Sequence, residues 1–286
     1  MSASRDHTGN DAGARGAARP KRWLFLAQVL GYPLLGYLVL SWILGAMLFH
    51  PSRDEAREVE RIGERVTYRA SDGTRLSSWL VRARTPRRRT LVYFHGNAAT
   101  ASACWGWARV LSDHGTDVLL AEYRGYGQSE GRPSAAGVEL DAAAAVRYLL
   151  EDQHVPPSEL VVHGQSLGGA AALSALAGPA RDAAGGIVES TFTSLHDMAR
   201  QVVGLPLTYV VPDAYHLDSA SRASRVRAPI LQIHGDRDEV IPYALGERLR
   251  DALSPRRFVR VSGGTHNLAD AEVTEEILGF LEQVAP

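Results

Sequence analysis

From Leu91 onward, short apolar runs rich in Val, Ile and Leu alternate with segments of helical length, and few architectures accept that order. The runs are Leu91–Phe94, Val118–Glu122, Leu160–His163, Ile187–Glu189, Ile230–His234 and Phe258–Val261. The segments around them suit helices over Ala98–Asp113, Ala135–Glu151, Gly168–Ala177, Leu195–Val203, Ala244–Leu253 and Thr274–Val284. Strands joined by helical crossovers build a parallel sheet with helices on both faces. Ahead of them, Arg65–Arg69 and Leu76–Arg82 flank Asp72-Gly73, a pair suited to a tight hairpin turn. The expected architecture is α/β: a mostly parallel, eight-stranded sheet, its first two strands antiparallel, in one domain over residues 65–286.

The residues before this domain are of a different kind. Trp23 to Phe49 reads WLFLAQVLGYPLLGYLVLSWILGAMLF, with no charged residue. As a helix it would reach about 40 Å, against about 30 Å for the hydrocarbon core of a bilayer. Gly31, Pro33, Gly36 and Gly45 weaken a soluble helix but are tolerated in lipid, and Trp23 and Trp42 suit the headgroup layer. The expectation is a single transmembrane anchor over residues 23–49. The alternative, a cleaved signal peptide, calls for an apolar region about half as long and a small-residue cleavage site. Arg15, Arg19, Lys21 and Arg22 precede the span, while Arg53, Arg57, Arg61 and Arg65 follow it interleaved with acids. That balance favours an N-terminus inside and the main domain on the extracytoplasmic side. Residues 1–22, polar and rich in Gly, Ala and Arg, read as a disordered tail, and residues 50–64 as a solvated connector.

Charge narrows the function. With 31 Lys plus Arg against 32 Asp plus Glu, there is no excess of cations to neutralise phosphates, which argues against nucleic acid as a partner. The single cysteine, Cys104, has no partner for an internal disulfide or a metal site. Arg87-Arg88-Arg89 reads as a solvated loop, with contact to anionic headgroups as the alternative.

The pattern Gly-x-Ser-x-Gly occurs twice, around Ser129 and around Ser166. A nucleophilic serine of this type needs a strand leading into a tight turn, glycines on either side, and a helix starting at once. Leu160-Val161-Val162-His163 supplies the strand for Ser166, and Gly169-Ala170-Ala171-Ala172-Leu173 the helix. The copy around Ser129 follows Tyr123-Arg124-Gly125-Tyr126 and precedes Arg132-Pro133, which blocks an immediate helix, so Ser129 reads as a loop serine.

A serine hydroxyl is a weak nucleophile until a base takes its proton and a carboxylate orients that base. Ile230–His234 leads into a loop holding Asp236 and Asp238, and Phe258–Val261 leads into Gly263-Gly264-Thr265-His266. Both loops sit at carboxyl ends of strands, where open α/β sheets build their sites. The candidates are Ser166 as nucleophile, Asp238 as acid and His266 as base. Asp236 is the rival acid, read as shaping the turn; His163 and His234 read as core or strand-edge histidines. The loop His95-Gly96-Asn97 can offer the backbone N–H of Asn97 to an oxyanion, with that of Leu167 as second donor.

These pieces, Phe94-His95-Gly96-Asn97-Ala98, EYRGYGQSEG over 122–131, GQSLGG over 164–169, HGDRDEVIP over 234–242 and Gly264-Thr265-His266, resemble the membrane-anchored α/β-hydrolase-domain family that includes protein depalmitoylases and lysophospholipases, and more broadly the serine aminopeptidase-like hydrolases. The resemblance runs from about Arg65 to the end. It implies an α/β-hydrolase fold, assigns nucleophile, acid and base to Ser166, Asp238 and His266, treats the loop of Ser129 as structural, and calls for no cofactor. Glu122 departs from the pattern, since such proteins commonly carry Asp there. Only 39 residues, Thr191–Pro229, separate the sixth and seventh strands, so a minimal cap and an open cleft are expected. Small-molecule esters, lipid esters or acylated proteins at a membrane are the expected substrates. Peptide or amide hydrolysis by the same side chains, and an inactive fold serving as a membrane-bound binding module, are the alternatives.

Overall fold

The computed structural model describes residues 28–36, 39, 49–54, 56–203, 216–268 and 271–284. The chain divides into two units, residues 1–42 and 43–286. In the first, residues 28–36 are helical with exposed side chains. Among the described residues no helix is long and apolar enough to cross a membrane. Most of the span expected at 23–49, and all of the tail 1–22, lie outside the described residues.

The second unit is built on one sheet of eight strands: β1 Glu64–Arg69, β2 Arg75–Val81, β3 Arg89–Phe94, β4 Thr116–Ala121, β5 Leu160–Gln165, β6 Gly185–Glu189, β7 Ile230–Gly235 and β8 Arg257–Val261. Their order across the sheet is β1-β2-β4-β3-β5-β6-β7-β8. The β1–β2 and β2–β4 pairs are antiparallel and the others parallel. The helices are α1 Trp105–Asp113, α2 Ala135–Arg147, α3 Leu167–Leu176, α4 Leu195–Val203, α5 Ser219–Arg222, α6 Tyr243–Leu253 and α7 Ala271–Val284.

Alternation along the strands feeds two cores. Val92, Phe94, Leu119, Val162 and Val188 pack against α2, α3 and α6 on one face. Leu91, Tyr93, Val118, Val161 and Ile187 pack against α1 and α7 on the other. Burial on both faces is why these strands read as continuous apolar runs.

Local differences from the expected elements have local causes. The helix expected from Ala98 starts as a 3-10 turn at Ala101–Cys104, because Ala98 takes φ 59° and Thr100 turns its hydroxyl to Asp54 O at 3.0 Å. The helix from Ala135 is capped by Ser134 Oγ, which accepts Gly137 N–H, and ends in a π turn at Tyr148–Asp152. The short α5, capped by Asp218, falls in the segment expected to be a minimal cap; residues 204–215 there lie outside the described residues. The stretch read as a solvated connector is docked on the domain. Val59 is buried, Gly127 N–H donates to Ser52 O at 2.9 Å, and Ala56 N–H donates to Ser102 Oγ at 2.8 Å; Phe49, the last residue of the span expected at 23–49, is buried in the domain core and so falls outside any membrane span.

Candidate active site

Ser166 follows β5 and caps α3, with φ 56° and ψ −119°. That left-handed backbone is uncommon for a residue with a side chain and persists only where its surroundings enforce it. Here Ser166 N–H donates to Glu189 O at 2.9 Å, and Thr191 Oγ1 donates to Ser166 O at 2.7 Å. The flanking glycines let three backbone segments meet. A Cβ at Gly164 would lie 2.0 Å from Gly168 O, and one at Gly168 would lie 1.9 Å from Phe94 O. Gly168→Ala must force β3 and α3 apart, so we expect a loss of about 3 kcal/mol or more in urea unfolding. A loss within about 0.5 kcal/mol would show that this contact does not hold the turn.

Asp238 and His266 arrive from the loops after β7 and β8. His266 Nδ1–H donates to Asp238, with Oδ1 at 3.0 Å and Oδ2 at 2.9 Å. On its other side, Ser166 Oγ–H donates to His266 Nε2 at 3.1 Å. The structure thus brings together three side chains spread over 100 residues. Asp238 Oδ1 also accepts the N–H groups of Val240 and Ile241, at 2.9 and 2.8 Å. Burial by itself would raise the Asp238 carboxyl, but hydrogen bonds from His234, His266 and Ile241 outweigh it and hold the group well below the usual carboxylate range. Burial pushes the Cys104 thiol up to about 12, so the chain's one thiol does not compete as a nucleophile.

The rivals take structural places. Asp236 accepts Gly263 N–H at 2.7 Å and binds Arg260, which ties the acid-bearing loop to the base-bearing loop without reaching His266. Ser129 is buried, and its Oγ accepts Ser77 N–H at 3.0 Å, stapling its loop to β2. His234 is a buried strand-end histidine, yet its Nε2 also lies 3.4 Å from Asp238 Oδ2, a contact that no spacing in the sequence marks.

The loop that carries Asn97 is held by residues outside the expected set. His95 Nδ1 lies 2.7 Å from Gly96 O, and its Nε2 lies 2.8 Å from Glu122 Oε1. The other oxygen of Glu122 accepts Ala101 N–H at 3.0 Å, so one carboxylate clamps both ends of the loop. Tyr123 Oη donates to His95 O at 3.0 Å and Tyr126 Oη to Asn97 Oδ1 at 2.8 Å. Gly96 faces Ser166 closely enough that a Cβ there would sit 3.4 Å from Ser166 Cβ. The loop of Ser129 therefore acts through its beginning, Glu122-Tyr123-Arg124-Gly125-Tyr126, which is fixed in turn by Arg124 bound to buried Asp141 and to Asp72. Glu122→Gln keeps the volume but puts a second donor against Ala101 N–H or alters the His95 contact. We expect it to slow turnover on the order of 10²-fold with little change in KM, because the loop that crosses Ser166 is displaced. A shift in KM alone would assign Glu122 to substrate contact instead.

The sheet order, the crossover helices and the serine on the β5–α3 turn define an α/β-hydrolase fold. A family model described as alpha/beta hydrolase fold matches residues 89–209. The protein YfhR of Escherichia coli (strain K12) is 34% identical over 209 residues, covering 71% of this chain and 73% of its own. Rv2307c of Mycobacterium tuberculosis (strain ATCC 25618 / H37Rv) is 35% identical over 249 residues, covering 84% and 87%. The chain belongs to the α/β-hydrolase family. The Pyrococcus furiosus esterase Pf2001 shares the fold at TM-score 0.64 and 19% identity, covering 82% of this chain and 99% of that one.

Proposed function

We propose that this protein is a serine hydrolase that cleaves carboxylic ester or thioester bonds through an acyl-enzyme intermediate. One observation carries the reading: an unbroken line of hydrogen bonds from Asp238 through His266 to Ser166. Ser166 Oγ attacks the carbonyl carbon while His266 Nε2 takes its proton. The backbone N–H groups of Asn97 and Leu167 stabilise the oxyanion, and Leu167, first in α3, has a helix-start N–H with no intrahelical acceptor. Collapse expels the alcohol or thiol, which takes its proton from His266. Water then repeats the path on the acyl-serine, with Asp238 keeping the imidazole in the tautomer whose Nε2 lone pair faces the reacting oxygen. A fluorophosphonate probe tests this directly. Wild type should carry one adduct that Ser166→Ala abolishes; no adduct, or equal labelling of both, would overturn it. Ester, thioester and aminoacyl-amide substrates assayed side by side separate this activity from amide hydrolysis.

We further infer a transmembrane anchor within residues 23–49 that ends short of Phe49, whose side chain is buried in the domain core, with lipid esters or acylated proteins as substrates on the extracytoplasmic side. The absence of any charged residue from Trp23 to Phe49 supports the anchor. The position of the first residue after it supports the substrates: His50 N–H donates to Asn97 Oδ1 at 2.9 Å, so the chain enters the domain at the loop that crosses Ser166. Full-length protein should stay in the membrane pellet through an alkaline carbonate wash. Release into the supernatant would contradict the anchor.

A further inference from the structure

Beside the nucleophile, on the α1 and α7 side of the sheet, lies a cavity of about 550 Å³. Tyr93, Gln165 and Glu189, at the ends of β3, β5 and β6, line it together with Trp107 of α1 and the apolar residues of α7. Gln165 immediately precedes Ser166, and Asn267, also in the lining, immediately follows His266. Gln165 Nε2 donates to Asn267 Oδ1 at 3.4 Å, a long contact that an incoming group can part.

The acyl-enzyme steps leave the Glu189 carboxylate without a task. Only its backbone carbonyl serves Ser166. The side chain, 10% exposed, accepts Nε2–H of His163, which is fully buried. His163 Nδ1 meets no partner among the described residues, so this one contact with Glu189 is the only hydrogen bond that holds the ring. No lysine or arginine is among the described residues that line the cavity. A largely buried carboxyl group with no Lys or Arg beside it is costly to ionise, and a cation brought to it offsets that cost. The aromatic rings of Trp107 and Tyr93 in the same lining favour positive charge over neutral chains.

We propose that this cavity is a substrate subsite for an ammonium-bearing arm, with the charge at Glu189 and the apolar stem against Trp107 and α7. Its place beside a reacting ester rests on the serine-hydrolase reading; its affinity for a cation does not. Two measurements separate them. Calorimetric titration with hexylammonium chloride reads the cavity without turnover. Binding to wild type should weaken about tenfold in Glu189→Gln. It should weaken as much in Gly106→Leu, because Gly106 lines the cavity and a Cβ there meets nothing within 4 Å, so the new side chain fills open space. Turnover is read as the ratio of kcat/KM for p-nitrophenyl 6-ammoniohexanoate to that for p-nitrophenyl heptanoate within each variant, so that a general loss of activity cancels. The ratio should be about ten in wild type and about one in Glu189→Gln. A wild-type ratio near one, a preference that survives Glu189→Gln, or hexylammonium binding indifferent to Gly106→Leu would overturn the subsite. Hexylammonium binding that responds to both variants, with neither ester turned over, would uphold the cation site and overturn the hydrolase reading.

Discussion

Ser166→Ala should lower the turnover of an activated ester by about 10⁵-fold while the protein stays folded. The size follows from the role: the attacking oxygen is lost, and with it the covalent path, leaving only oxyanion stabilisation and substrate positioning. The fold should tolerate the change, because the turn is held by backbone and neighbouring groups, namely Ser166 N–H on Glu189 O and Thr191 on Ser166 O, and not by the serine hydroxyl. Steady-state assays with thermal unfolding in parallel check both halves. Residual activity within about tenfold of wild type would remove Ser166 from the chemistry.

The second large effect is expected at Asp238. In Asp238→Asn the two backbone donors, Val240 and Ile241, both point at Oδ1. The new amide nitrogen must then take the place of Oδ2, which faces His266 Nδ1 at 2.9 Å. An N–H there opposes Nδ1–H and leaves it only the 3.0 Å contact with Oδ1, which favours the tautomer in which Nδ1 accepts and Nε2 carries the proton, presenting a donor to Ser166 where an acceptor is needed. Turnover should fall by about 10⁴-fold through the wrong tautomer, with the geometry nearly unchanged. The same substitution tests the carboxylate's contribution to folding. Because the folded protein holds Asp238 below the usual carboxylate range, its ionised form stabilises the fold above the unfolded-state value near 4, and that contribution is lost as pH falls through the folded value. Wild type should therefore exceed Asp238→Asn in stability at neutral pH, with the gap narrowing below about pH 4. A gap that widens on acidification would contradict the hydrogen-bond account of Asp238.

Much of this was legible because strand burial writes itself into apolar runs. Leu160–His163 and Ile230–His234 are legible as strands, which extend to Gln165 and Gly235, and Ser166 and Asp238 inherit their positions from those strand ends. His266 was legible for the same reason, as a glycine-flanked residue after β8. What stayed hidden depends on pairings across the sheet that carry no spacing of their own. Glu122 and His95 meet because β3 and β4 lie side by side in register, Phe94 against Ala121, which sets their carboxyl ends together. Glu189 reaches His163 and borders Gln165 only through the β5–β6 register. Val59, an apolar residue in a charged stretch, is the hint that the chain between 50 and 61 packs down, while Phe49 reads as the end of the apolar run and gives no sign of its burial in the domain.

The most direct test of the account is to mix the protein with excess p-nitrophenyl ester, quench within the first expected turnover, and map any covalent acyl group by mass spectrometry. An acyl mass on Ser166, appearing with a burst of nitrophenol no larger than one per chain, is the predicted result. Turnover with no acyl adduct at Ser166, or an adduct on another side chain, would contradict it.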